Sequence, residues 1–314
     1  MNAWILALIQ TALLMLLAPL LSGWVKWIKC KMQCRRGPAP WQPYRDLAKL
    51  MRKEVVLAEH ASPLFRATPY LVFSVTALAS SVVPAFAVGL PTAAIADVIV
   101  MVGFFALGRF FLSLAGMDIG TAFGGMGASR EVTISSLAEP AMLLSIFTLS
   151  MTFASTNLDT MVHFSLTQPF QIHPSFIFSG LSLLLVATAE CGRIPIDNPA
   201  THLELTMVHE AMILEYSGRH LALLEWASML KMLIFGVLIT NLFIPWGIAL
   251  NPGVVPLAIG TLSMLIKLMF IGTVLAVSES VLAKMRLFRA PEFLSLAFIL
   301  SLLGMLSHVV LEVY

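Results

Sequence analysis

The chain has 314 residues and a formal net charge of +2, with 59% apolar residues, 11% charged residues and a mean hydropathy of +0.90. Soluble domains average roughly 45–50% apolar and about 25% charged residues, so this composition excludes a soluble globular enzyme and predicts an integral membrane protein. The total charge says little, because the distribution along the chain carries the information.

Apolar runs of about 20 residues predict an all-α, polytopic bundle of eight spans, at 4–28, 69–88, 93–115, 137–156, 174–190, 222–246, 254–282 and 291–313. Residues 1–314 read as a single integral membrane domain. The first run is followed, not preceded, by basic residues (Lys26, Lys29, Lys31, Arg35, Arg36), so it reads as a retained span and not as a cleaved signal peptide. With a non-cytoplasmic N-terminus, the inside connections are 29–68, 116–136, 191–221 and 283–290. These and the adjoining span ends hold sixteen of the nineteen Lys and Arg, whereas the outside connections 89–92, 157–173 and 247–253 hold none. The positive-inside rule therefore predicts that both termini lie outside the cytoplasm, in a multi-pass cell membrane protein.

After the first span, Gly37-Pro38 marks a turn. From Arg45 to Glu59, charges alternate with Leu47, Leu50, Met51 and Val55 at the spacing of an amphipathic helix lying along the membrane surface. The third span carries Arg109 and runs into Gly116-Met-Asp118-Ile-Gly120 and Gly124-Gly125-Met-Gly127-Ala-Ser-Arg130-Glu131. This glycine density lacks a G-x-x-x-x-G-K-[ST] motif and a preceding strand, so it predicts close backbone packing or a mobile loop and no nucleotide site. Glu139 opens the fourth span. The cysteines Cys30, Cys34 and Cys191 contain no CxxC, and Asp159, His163 and His173 are too scattered for ligation, so no metal site and no redox centre is expected in this chain.

The densest polar stretch runs from Glu190 through Arg193, Asp197, His202, Glu204, His209 and Glu210 to Glu215-Tyr-Ser-Gly218. Pro195 and Pro199 cannot both sit in one regular helix, so 192–198 reads as a turn. Asn198 then caps a helix that Gly218 closes. Glu225 and Lys231 in the sixth span, and Lys267 and Glu279 in the seventh, are ionisable groups within apolar runs, which cost several kcal/mol to insert and point to a hydrated or bundle-facing setting. Arg193 and Arg130 are the available cationic partners for the carboxylates at the span ends.

Arg35-Arg36-Gly37-Pro38, the Gln42-x-Tyr44-Arg45-Asp46-x-x-Lys49-Leu50 run, Gly116-Met-Asp118-x-Gly120, Gly127-Ala-Ser-Arg130-Glu131, Glu139-Pro140 and the Glu190-to-Gly218 stretch together resemble one family. It is the membrane subunit shared by NADH:quinone oxidoreductase (respiratory complex I, subunit 1) and complex-I-like membrane-bound [NiFe] hydrogenases. The short path from Gly37-Pro38 to Trp41, with Asp118, Lys231 and Lys267, is similar to the hydrogenase branch, whose members include formate hydrogenlyase subunit 4 and hydrogenase-4 component C. One departure is the family's Glu-Ala-Glu-Gln-Glu-Leu, which here reads Ala200-Thr-His202-Leu-Glu204-Leu.

The resemblance implies a non-catalytic subunit that anchors a peripheral redox arm. Nickel–iron and iron–sulfur centres would then sit on partner subunits: the hydrogenase large and small subunits and iron–sulfur subunits, with antiporter-like membrane subunits alongside. No nucleic acid is expected. The implied ion path comprises Glu139, Glu190, Asp197, Glu204 and Glu215, joined by Glu225, Lys231, Lys267 and Glu279. The implied docking residues are Arg35, Arg36, Asp118, Arg130, Glu131 and Arg193. Two other readings stand beside it: a quinone-binding subunit with its cavity between the amphipathic helix and the first spans, and a stand-alone transporter using Glu225, Lys231, Lys267 and Glu279.

Overall fold

The computed structural model describes residues 3–58, 61–167, 173–193, 197, 207–250, 253–282 and 289–312. Among them every regular element is helical: α1 (Ala3–Met32), α2 (Gln42–Arg52), α3 (Pro63–Val82), α4 (Val98–Asp118), α5 (Ala122–Phe153), α6 (Leu158–Thr167), α7 (Pro174–Glu190), α8 (His209–Ile213), α9 (Gly218–Phe243), α10 (Val254–Val281) and α11 (Ala290–Ser307). A 3-10 turn at Pro91–Ile95 precedes α4, and a π turn at His308–Glu312 follows α11. Six helical segments are long and apolar enough to cross a membrane, namely α1, α4, α5, α9, α10 and Ala290–Leu311, and α7 is a shorter apolar helix. The 20-residue α3 occupies most of the second predicted span.

Local chemistry starts and stops these helices. Ser62 caps α3 by accepting from the Leu64 N–H at 3.1 Å, with Pro63 at the first position. Asp97 does the same for α4 through Ile99 at 2.8 Å, and Thr121 for α5 through Gly124 at 3.3 Å. α7 ends in a turn at Cys191–Gly192, where Gly192 has φ +57°.

α9 is the axis of the bundle: 67% of its most apolar window is buried, against 22% for α10 and for α11. It packs on α1, α2, α3, α7 and α10, while α5, α7 and α11 form a second group joined to it directly by α7 and, by way of α4, through α3. α2 buries Pro43 and Leu47 against α9 and α1. On the far side of the bundle the chain leaves α3 at Val83 and runs irregularly before α4. Its carbonyls are satisfied from within: Gln10 Nε2 donates to Val83 O, Asn241 Nδ2 to Pro84 O and Ala85 O at 2.8 Å, and the Ala249 N–H to Phe86 O at 2.9 Å. Irregular backbone within apolar surroundings needs that full accounting.

Several boundaries differ from the sequence reading. Residues 116–136 are mostly helix and not a loop, because α5 begins at Ala122. Its glycines serve packing, since a Cβ on Gly124 would lie 2.2 Å from the Gly116 carbonyl oxygen. The 157–173 connection contains α6, and the second span ends at Val82, just before Pro84. The surface helix covers Gln42–Arg52 and stops before Lys53, because the next residues pair elsewhere: the Val56 N–H donates to Ser217 Oγ and Ser217 Oγ donates back to Val56 O, both at 2.8 Å.

Gly218 opens α9 and does not close a helix from Asn198; residues 198–206 lie outside the described part. With φ +54° and a virtual Cβ 2.5 Å from Glu54 O, Gly218 lets the chain after α2, a strap over 53–58, lie against the start of α9. Tyr216 completes the dock by stacking on Phe65 at 3.9 Å and donating to Phe65 O at 3.0 Å. Gly218→Ala combines left-handed strain, worth about 1–3 kcal/mol, with a backbone collision. It should lower the thermal midpoint for loss of monodisperse protein; an unchanged midpoint would remove the strap from the fold's stabilising contacts.

Candidate functional site

Where α4, α5, α7 and α9 converge, the bundle interior is charged. Arg109 lies midway along α4, and its guanidinium forks: Nη1 donates to Glu190 Oε1 and Nη2 to Glu139 Oε1 at 2.7 Å. The other Glu190 oxygen, Oε2, lies 2.8 Å from Lys231 Nζ, and the Glu190 side chain is 0% exposed. Lys231 Nζ also sits over the Phe105 ring at 5.6 Å. A carboxylate this deep persists only with such partners, because dehydrating it alone costs several kcal/mol. Arg109 Nε is buried and meets no acceptor among the described residues. It borders a cavity of about 70 Å³ lined by Arg109, Glu131, Glu190, His209, Ser228 and Lys231, with room for several water molecules.

A second, larger cavity of about 410 Å³ opens between α1, α2, α8 and α9. Lys26, Asp46, Lys49, Asp197, Glu210 and Glu225 line it. Cys191, Gly192, His209 and Ser228 line both cavities, so these four residues are the wall between them. Burial holds the His209 imidazole below its ordinary value of 6.5, with Lys231 acting in the same direction and Glu210 and Asp197 opposing. The side chain is therefore neutral near pH 7, able to take a proton on one nitrogen and give one from the other. Asp197 is buried and accepts the backbone N–H groups of Val208 at 3.2 Å and His209 at 3.4 Å, which holds α8 in place.

Glu279 forms a separate cluster, accepting from Lys29 Nζ at 3.0 Å and Arg193 Nη1 at 3.3 Å. Lys267 lies apart from both clusters, on the side of the broken α3–α4 segment, with Asn241 Oδ1 at 3.3 Å. Glu215 is exposed and does not reach the inner cluster, and Glu204 falls outside the described residues. Of the expected docking residues, Arg35 and Arg36 are exposed at the turn after α1. Asp118 accepts from the Ser62 N–H at 3.1 Å, and Arg130 donates to Met207 O at 3.0 Å. Glu131 faces the inner cavity and not a docking surface. The cations that hold the inner carboxylates are Arg109 and Lys231, whereas the expected partners Arg193 and Arg130 bond elsewhere. The signal for Arg109 is present in the sequence, since a charge inside an apolar span needs a partner. Nothing in the pattern singles out Lys29 or His209. Among the described residues no three His, Cys, Asp or Glu side chains gather as metal ligands.

The chain is 33% identical to Escherichia coli (strain K12) hydrogenase-4 component C over 90% of its length and 88% of that protein. It is 31% identical to formate hydrogenlyase subunit 4 of the same organism, over 91% and 92% of the two chains. Likeness to the corresponding NADH-quinone oxidoreductase subunit of Rickettsia bellii (strain RML369-C) is 28%, over 68% of this chain and 64% of that one. A solved structure of the membrane-bound sulfane sulfur reductase, an archaeal respiratory membrane complex, superposes with a TM-score of 0.80 at 17% identity, covering 98% of this chain and 99% of that one, which establishes the same fold. The family model described as NADH dehydrogenase matches residues 4–309, and with these relatives it shows that the chain belongs to the NADH dehydrogenase family of complex I subunit 1 proteins.

Proposed function

We propose that this chain is the non-catalytic membrane subunit of a complex-I-like hydrogenase assembly, anchoring the peripheral redox arm and carrying a short proton relay. One observation carries the relay: among the described residues, Glu131 and Glu190 line a small cavity with Arg109 and Lys231, and Glu139 joins them through its ion pair with Arg109. Three acids against two cations leave one surplus negative charge in a water-poor interior, so the set responds to any nearby charge change. His209 in the dividing wall supplies a route from the larger cavity, which Glu210, Glu225 and Asp46 line. A redox change in a docked partner would then shift this balance through space.

The likeness to hydrogenase-4 component C and formate hydrogenlyase subunit 4 favours this reading over quinone binding, because the likeness to the NADH-quinone oxidoreductase subunit is lower and spans less of the chain. Nickel–iron and iron–sulfur chemistry is assigned to partner subunits. The basic connections are taken as cytoplasmic, so both termini face away from the cytoplasm, in the cell membrane. Reversing the exposed pair, Arg35→Glu with Arg36→Glu, should release the peripheral subunits during purification while this subunit stays folded in the membrane fraction. Co-purification of the intact complex at the native ratio would overturn the anchoring role. The relay itself is tested by the neutral replacement of Glu190.

A further inference from the structure

A third cavity, of about 230 Å³, lies on the membrane-facing side, between α1, α7, α9, α10 and α11. Its walls are apolar, including Leu21, Leu185, Phe235, Ile271, Leu275 and Phe293. The mouth is exposed at Leu184, Val274 and Leu282, on the flank where α10 packs on α1 and α9 while α11 packs on α7 and α5. It is smaller than the roughly 300–1,000 Å³ of ordinary small-molecule sites and open on one flank, so it holds part of an acyl chain whose remainder lies in the bilayer.

The Glu279 ion cluster adjoins one end of this cavity without lining it. Val25, Ser278 and Met232 line it, Lys29 follows Val25 by about one helical turn, Glu279 follows Ser278 directly, and the Arg193 guanidinium touches Met232 Sδ at 3.1 Å. Lys29 and Arg193 both pair with Glu279, leaving two cations on one carboxylate. The cluster also sits near the ends of α1 and α10, the depth at which lipid headgroups meet a bundle. Basic pockets between spans at that depth recognise anionic headgroups.

We infer that this cavity is a binding site for an anionic phospholipid, with one acyl chain between α7, α9 and α10 and the phosphate over the Lys29–Arg193–Glu279 cluster. The excess positive charge selects the headgroup, and the apolar walls hold the chain. The site is independent of the relay, because it uses neither Arg109 nor Glu190.

The test is photolabelling of the assembled complex with phosphatidylglycerol or phosphatidylcholine carrying a diazirine on the acyl chain, with adducts located by peptide mass spectrometry. Phosphatidylglycerol should label the 184–191, 232–239 and 271–278 segments about fivefold more than phosphatidylcholine, the preference expected for one surplus charge. Lys29→Met leaves the Arg193–Glu279 pair neutral and should bring the two lipids level. Ala187→Leu fills the cavity and should abolish labelling by both while headgroup charges stay in place. Equal labelling by the two lipids in the unaltered complex, or undiminished labelling in the Ala187→Leu protein, would overturn the inference.

Discussion

Glu190→Gln should leave the complex assembled while proton movement coupled to its turnover falls about 10²-fold, the scale of a lost proton-transfer group. The amide keeps the shape of the carboxyl and its oxygen can still accept from Arg109, while its NH2 offers Lys231 no acceptor, so the helices stay joined through Arg109. On the proposed relay, what disappears is one of three acids, and the remaining two face two cations with no surplus charge. A merely structural role makes the opposite forecast: activity per assembled complex unchanged, with losses confined to yield. Proton uptake by inverted vesicles, normalised to co-purified partner subunits, separates the two.

Arg109→Met should lower stability by about 1–3 kcal/mol, because it takes one of two cations from the buried Glu190 and leaves the partly exposed Glu139 without its partner. Glu190 keeps Lys231, but Glu139 loses the 2.7 Å contact that satisfies it. Arg109→Lys should recover part of that loss, since an ammonium restores the charge without the fork that reaches two acids at once. Thermal unfolding of the purified subunit reads both. Equal midpoints for Met and Lys would mean that packing, not charge, dominates at this position.

The apolar helices are legible because hydropathy is a local property: the predicted 174–190 run and α7 have the same bounds. The glycine-rich run fails the same test, since its helix depends on the Gly116 carbonyl fitting against Gly124, a contact invisible to a hydropathy window. Gly218 misleads for a related reason. A glycine with positive φ marks a helix end in general, but whether it closes one helix or opens the next depends here on the Glu54 backbone lying against it. At the site, Glu139 and Glu190 stand out in the sequence as acids at span ends, and Arg109 as a charge inside a span. Their meeting is not legible there, because spacing along one helix says nothing about which residues face each other across three. Glu215 shows the converse, an acid within the right motif whose neighbours Tyr216 and Ser217 serve to bind Phe65 of α3 and Val56.

The ion pairs also set a timetable for biosynthesis. Arg109 enters 30 residues before Glu139 and 81 before Glu190, and Lys29 precedes Glu279 by 250. At roughly 5–20 residues per second, Arg109 waits about 1.5–6 s for its first partner and Lys29 about 12–50 s for its own. During that interval α4 must stay beside the insertion machinery or water, because a lone guanidinium is costly in lipid. The later helices therefore complete the charge balance that the earlier ones begin, and a chain truncated before Glu190 should be retained by the translocon or degraded, not released as a partial bundle.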